Sequence, residues 1–125
     1  MSAAAEEFSP RYFFFHHISI LSLFYRLNFL AVRVLQPLAR LGASVTGVDA
    51  SQENIKNAQW HAAHDPQVAR NIRYRAGTVE SLVEKEAESY DAVVASEIIE
   101  HVADASLFVS ACCKLLRVRV LTPSR

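Results

Sequence analysis

From residue 43 to residue 116 the chain alternates between short apolar runs and longer stretches with helical spacing, and this alternation constrains its fold more than any other feature. Residues 43–48 (ASVTGV) have strand character and lead into Asp49. Ser51 is placed to cap a helix over residues 52–64, where Ile55, Ala58, Gln59 and Ala62 recur at helical spacing. Asp65-Pro66 stops that helix, because a residue before proline is pushed out of the α region. Residues 72–76 form a second short strand, closed by Gly77, and Thr78 caps a helix reaching about Ala87. Residues 91–95 (DAVVA) are apolar after their first position, as expected of a strand covered on both faces. Ser96 opens a turn or short helix, residues 106–116 form another helix, and residues 117–121 are suited to one more strand. Strands alternating with helices give βαβ units and a parallel sheet, hence the α/β, doubly wound class.

The first 36 residues differ in kind. They contain no glycine, and the first glycine of the chain is Gly42, a natural helix C-cap. Arg26, Arg33 and Arg40 recur every seven residues among Leu27, Leu30, Val34, Leu38 and Leu41, which is the pattern of an amphipathic helix with a solvated basic stripe. Pro37 falls inside the pattern and is expected to kink or restart the helix. Upstream, residues 12–25 read YFFFHHISILSLFY, too short to span a bilayer and interrupted by His16 and His17. Glu6 and Glu7 precede this run, so it has the charge of neither a secretory signal nor a basic transit peptide. Buried packing is the expectation for its aromatic residues, with peripheral membrane contact as the alternative. The chain thus divides into an atypical, helical segment over residues 1–36 and an α/β unit over residues 37–125.

Composition narrows the function classes. Apolar residues make up 51% of the 125, enough to demand a core. Thirteen basic and thirteen acidic residues cancel, which argues against nucleic acid as a partner, since no basic excess is there to displace counterions. Cys112 and Cys113 are adjacent, which suits neither a disulfide framework nor a spaced metal pair; they read as small apolar residues on a buried helix.

In open α/β sheets ligands bind beyond the carboxyl ends of the strands, and three such ends carry polar groups. Asp49 is placed either to accept hydrogen bonds from both hydroxyls of a ribose or to act as a turn or cap aspartate. Gly77-Thr78-Val79-Glu80 follows the next strand, where an adenine edge is commonly held, but a glycine turn with a capped helix accounts for the same residues. After the third strand comes Ser96-Glu97-Ile98-Ile99-Glu100-His101. In an α-helix Glu97, Glu100 and His101 share one face. They suit a divalent cation, with Mg²⁺ favoured by the oxygens and Mn²⁺ or Zn²⁺ left open by the imidazole. The competing reading has Ser96 as an N-cap and the glutamates at the positive end of the helix. His61, His64 and Asp65 also sit close in sequence and read as solvated helix-end residues.

Two stretches, PLARLGASVTGVDASQENIKNAQWHA and YDAVVASEIIEHVAD, resemble the ubiquinone-biosynthesis O-methyltransferases, and the resemblance extends over about residues 37–116. The run SEIIEHV after a DAVVA strand is a hallmark of that family. The resemblance implies a Rossmann-like class I methyltransferase fold using S-adenosylmethionine. It implies that Asp49 and Ser96 bind the cofactor and that Glu97, Glu100 and His101 bind Mg²⁺, with His101 as the general base if it is not a ligand. It implies a phenolic polyprenyl catechol or demethylubiquinol as substrate. It further implies other ubiquinone-biosynthesis proteins as partners and a peripheral position on the matrix side of the mitochondrial inner membrane.

The chain departs from the family at both ends of this match. Before PLARLG the family has a strand ending in an acidic residue and a GCGGG-type loop; here the stretch reads RLNFLAVRVLQ, without glycine. Only glycine lets backbone approach the methionine part of the cofactor closely. The expectation is a partial fold that lacks the first strand, unless FLAVRVL fills its slot, together with the glycine loop and the later strands. Such a chain is inactive alone, and the alternative function is a non-catalytic interaction or decoy subunit.

Overall fold

A computed structural model describes residues 18–24, 29–96 and 98–117. Its sheet has four parallel strands: β1 (Ser19–Phe24), β2 (Ser44–Asp49), β3 (Ile72–Ala76) and β4 (Ala92–Ser96), in the order β3-β2-β1-β4. The helices are α1 (Phe29–Arg40), α2 (Gln52–Ala63), α3 (Pro66–Ala69), α4 (Val79–Glu86) and α5 (Ala105–Leu115), with a 3-10 turn at Ile99–His101. From β1 the chain steps outward to β2 and β3, then returns to place β4 on the other side of β1. The strand order therefore reverses between β1 and β4, which is where doubly wound sheets open a crevice.

Two apolar layers cover the sheet. Ile20 and Phe24 of β1 face Leu35 and Ala39 of α1, Ile55 and Ala58 of α2 and Val68 of α3. Leu21 and Leu23 face the other way, with Val79 and Leu82 of α4 and Phe108 and Leu115 of α5. This is the α/β class read from the alternation, and the boundaries of β2, α2, β3, α4, β4 and α5 fall within a residue or two of expectation.

The expected loss of the first strand is corrected. The central slot is occupied by SILSLF, which pairs with β2 from Ser19↔Ser44 to Phe24↔Asp49 and with β4 from Ile20↔Ala92 to Phe24↔Ser96. A central strand must be apolar on both faces, and the alternate burial of Ile20, Phe24 and Leu21, Leu23 satisfies that. FLAVRVL does not fill the slot; it belongs to α1. Within residues 1–36 the helical reading is replaced by a strand over Ser19–Phe24 and met from Phe29 onward, while residues 1–17 and 25–28 lie outside the described residues. Pro37 lies exposed inside α1, which continues to Arg40 instead of restarting. Gly42 ends the helix as expected, at φ 99°, with Gly42 N–H donating to Ala39 O and Ala43 N–H to Leu38 O.

Two smaller expectations change, and a third is described only at its start. Asp65-Pro66 does not simply stop α2: the Asp65 carboxylate accepts from Gln67 N–H and Val68 N–H and starts α3, with Pro66 in the first turn. The same carboxylate pairs with Arg40, whose guanidinium holds it below its ordinary range. Of the adjacent cysteines only Cys112 is half-buried, and burial pushes its thiol up; Cys113 is exposed, because α5 buries one face only. Leu116 forms a parallel bridge with Tyr90, and Arg117 N–H donates to Tyr90 O at 2.8 Å. The rest of the strand expected over 117–121 lies outside the described residues.

Candidate functional site

The carboxyl ends of all four strands come level. Phe24 pairs with Asp49 on one side and Ser96 on the other, and Asp49 pairs with Ala76. Asp49 is only 1% exposed. Its Oδ1 accepts from Ser51 N–H at 2.8 Å and its Oδ2 from the Asn54 side-chain amide at 3.2 Å. Ser51 in turn caps α2 by accepting from Asn54 N–H at 3.3 Å. The Asp49 carbonyl accepts from Gly77 N–H at 3.0 Å, tying the end of β2 to the turn after β3. The carboxylate is therefore oriented by two local hydrogen bonds, from Ser51 N–H and the Asn54 amide, and stands at the positive end of α2. Asn54 escaped the sequence reading; its signal is the D-x-S-x-x-N spacing, in which one side chain reaches the strand-end acid from the first turn of the next helix.

The turn after β3 behaves as a cap. Thr78 Oγ1 accepts from Ser81 N–H and Ser81 Oγ accepts from Thr78 N–H, a reciprocal capping box. Glu80 lies in the first turn of α4.

Beyond β4 the α-helical face expected for Glu97, Glu100 and His101 is replaced. A single 3-10 turn carries Glu100 and His101, both exposed, with His101 N–H donating to Ile98 O at 2.9 Å. With three residues per turn, these neighbours point about 120° apart. Glu97 and the Ser96 side chain lie outside what is described, so only the Ser96 backbone is located, beside Phe24 at the end of β4. Among the described residues no three His, Cys, Asp or Glu side chains converge as a metal site.

His61 and His64 are exposed, as expected for a helix end. Both rings lie against Trp60, at 5.1 and 4.3 Å between centroids, and His64 Nδ1 is 2.7 Å from Trp60 O. One further polar cluster was not anticipated. Arg75 donates to Glu86 Oε2 at 2.7 Å and to Tyr90 Oη at 3.1 Å, and Tyr90 donates to the same Glu86 oxygen at 2.7 Å. The Arg75 guanidinium holds the Glu86 carboxyl below its ordinary value. This cluster clips α4 to β3 and to the start of β4.

Known proteins share this framework. A sequence-family model described as a methyltransferase domain matches residues 30–120. The mitochondrial ubiquinone biosynthesis O-methyltransferase of Homo sapiens is 51% identical over 82 residues, 66% of this chain and 22% of that protein. The Caulobacter vibrioides ubiquinone biosynthesis O-methyltransferase is 46% identical over 82 residues, 31% of its length. The chain therefore spans a quarter to a third, or less, of the curated relatives it matches. Among solved structures, an arsenic(III) S-adenosylmethionine methyltransferase from Chlamydomonas reinhardtii aligns with a TM-score of 0.66 at 24% identity, covering 82% of this chain and 36% of that one. The CurJ carbon methyltransferase aligns at 0.68 and 18% identity, over 93% and 30%. At these identities the structural likeness concerns the fold.

Proposed function

This chain belongs to the methyltransferase domain family, and we propose on that premise that it carries the nucleoside-holding half of an S-adenosylmethionine-dependent O-methyltransferase of the ubiquinone-biosynthesis type. The reaction of that type moves a sulfonium methyl to a phenolic oxygen of a polyprenyl catechol or demethylubiquinol. The observation that carries this reading is the Asp49 carboxylate, buried at the end of β2 and oriented by Ser51 and Asn54. It stands beside the point where the strand order reverses, and two fixed oxygens suit the two hydroxyls of a ribose. The names of the relatives supply the substrate class.

The remaining roles are assigned on the same reading. Ser96 contacts the cofactor from the end of β4. Glu97, Glu100 and His101 are the residues that would hold Mg²⁺; a cation held there would lower the pKa of a phenolic oxygen. His101, when not a ligand, takes the phenolic proton. Mitochondrial residence, on the matrix side of the inner membrane as a peripheral protein, is proposed from the mammalian relatives, whose names carry the word mitochondrial. No helix among the described residues is long and apolar enough to cross a membrane.

The methionine half of the donor is not matched. Between Phe24 and Phe29 the sequence is YRLN, and a residue with a side chain keeps the backbone from the close approach glycine permits. The proposal accordingly is a chain that holds the adenosine moiety without turning over alone. The same glycine-free stretch favours the second reading, a non-catalytic interaction or decoy subunit of a quinone-biosynthesis complex.

Calorimetry of the full chain with S-adenosylhomocysteine tests the first reading. Saturable heat that vanishes in Asp49→Asn supports it; no heat at millimolar ligand leaves only the second. A methyl-transfer assay with a catechol and Mg²⁺ tests the limit, since turnover by the isolated chain would overturn it. Mg²⁺-dependent melting that disappears in Glu100→Ala tests the metal assignment, and unchanged melting rejects it.

A further inference from the structure

The outer edge of the sheet, at β3, is used by none of these residues. In a parallel ladder the N–H and C=O of one residue point the same way and successive residues alternate. Val45 N–H donates to Asn71 O at 2.8 Å and Gly77 N–H to Asp49 O at 3.0 Å, so Asn71, Arg73, Arg75 and Gly77 turn their backbone toward β2. The backbone groups of Ile72, Tyr74 and Ala76 therefore face outward. The Tyr74 carbonyl is met there by the Gln59 side-chain amide at 3.3 Å, a long bond from an exposed helix that an incoming donor can displace. Along this edge runs an open cavity of about 430 Å³. Its floor is Ala62, Ala63 and Ala69, whose small side chains leave the room, and Gln59, Arg73 and Arg75 flank it.

The charge of the edge selects what it takes. Arg73 is exposed and makes no ion pair among the described residues, while Arg75 shares Glu86. A second copy of this chain pairing antiparallel about Tyr74 sets Arg73 opposite Arg75, and like charges across a ladder repel. A row of outward backbone groups beside two guanidiniums instead matches an extended chain with carboxylates on alternate residues. We propose that the β3 edge is a strand-addition site for an extended, acidic segment of a partner protein, whose apolar residues enter the alanine-floored cavity while its carboxylates meet Arg73 and Arg75. This inference does not depend on cofactor binding or turnover.

The test is an amide-resolved NMR titration of the full chain with an eight-residue peptide of alternating glutamate and valine. Two comparison peptides replace glutamate by lysine, or place proline at the centre, where it removes a ladder donor. Expected is saturable binding that shifts the amides of Ile72, Tyr74 and Ala76. Proline should weaken it at least about tenfold, and Arg73→Glu by a similar factor, with Arg73→Lys retaining most of the affinity. Absence of saturable binding, equal binding of the lysine peptide, indifference to proline, or shifts confined to other elements each overturn the proposal. So does concentration-dependent self-association that shifts the same three amides without peptide. The peptide comparisons use the unaltered protein, so a misfolded variant leaves the test intact.

Discussion

β1 and β2 run side by side and pair at all six positions, yet they ask different things of the sequence. β1 is buried from Ile20 to Phe24 and lies outside the residues that match the methyltransferase family. It ends in Phe24, contributes no acid or glycine, and leaves Ser22 Oγ buried without a hydrogen-bond partner among the described residues. β2 needs particular residues. Gly47 sits where a Cβ would lie 2.6 Å from the Tyr74 ring, and Asp49 terminates the strand with a carboxylate oriented by α2. A central strand can therefore be filled by apolar bulk alone, because burial is non-directional. The groups proposed to hold a ligand at its end cannot, because they depend on specific atoms. The fold and the site are separable, and in this chain the first is more complete than the second.

Leu21→Ala tests the first half of that contrast most severely. Leu21 is fully buried at the centre of the sheet, among Leu23, Val48 and Leu115. Its truncation should cost about 2–5 kcal/mol in urea denaturation. A loss within about 0.5 kcal/mol, the size of a surface change, would mean that SILSLF is not in the central slot. Gly47→Ala tests the second half. The added methyl meets ring carbons of Tyr74, so the strands must separate or the ring must move, at about 1–3 kcal/mol. Combined with Tyr74→Ala, the methyl loses its obstacle, and the double variant should be less damaged than the two single losses added together.

These two strands also show why the fold was only partly legible. β2 was readable because its sequence carries both an apolar run and punctuation: Gly42 before it, Asp49 and the Ser51 cap after it. β1 has the same apolar content, but it sits in an aromatic-rich run with no glycine or proline to mark its ends, so a short apolar strand and part of a helix look alike. FLAVRVL was the visible alternative for the slot, and the helical spacing read through it is what the structure shows, with Leu35 and Ala39 packed on the sheet. At the site, Asp49 was legible from its position after a strand. Asn54 was not, because its contact joins two elements whose relative placement the sequence does not state. At Glu100 and His101 the sequence left a turn or a short helix open; the structure has a 3-10 turn whose N-cap, Ile98, makes no side-chain cap bond, so no capping signal was there to tell the two apart.

Ser22→Ala sharpens the contrast with a smaller effect of opposite sign. The hydroxyl is 1% exposed, and nothing among the described residues bonds it. Replacing a buried, unpaired hydroxyl by a methyl removes its desolvation cost, so the variant should be more stable by about 1 kcal/mol in the same denaturation assay. A loss of stability would show that Ser22 has a role specific to its chemistry, and β1 would then resemble β2 more than the contrast allows.

The smallest effect concerns whether charge, not only packing, holds the β2–β3 half. Glu86 sits below its ordinary value of 4.5 because Arg75 and Tyr90 favour its ionised form. A carboxyl whose folded pKa lies below its unfolded one contributes stability that is present above the unfolded value and is lost as pH falls through the folded value. Glu86→Gln should therefore lower Tm slightly near neutrality, where the ionised carboxylate contributes, and flatten the decline below about pH 4.5, so that the two curves converge in acid. Both partners are partly exposed, so added salt should shrink the difference between the two proteins. Parallel Tm curves from pH 3 to 6 at low salt would show that the clip contributes nothing through its charge. The half with the more specific residues would then rest on the same apolar burial as β1.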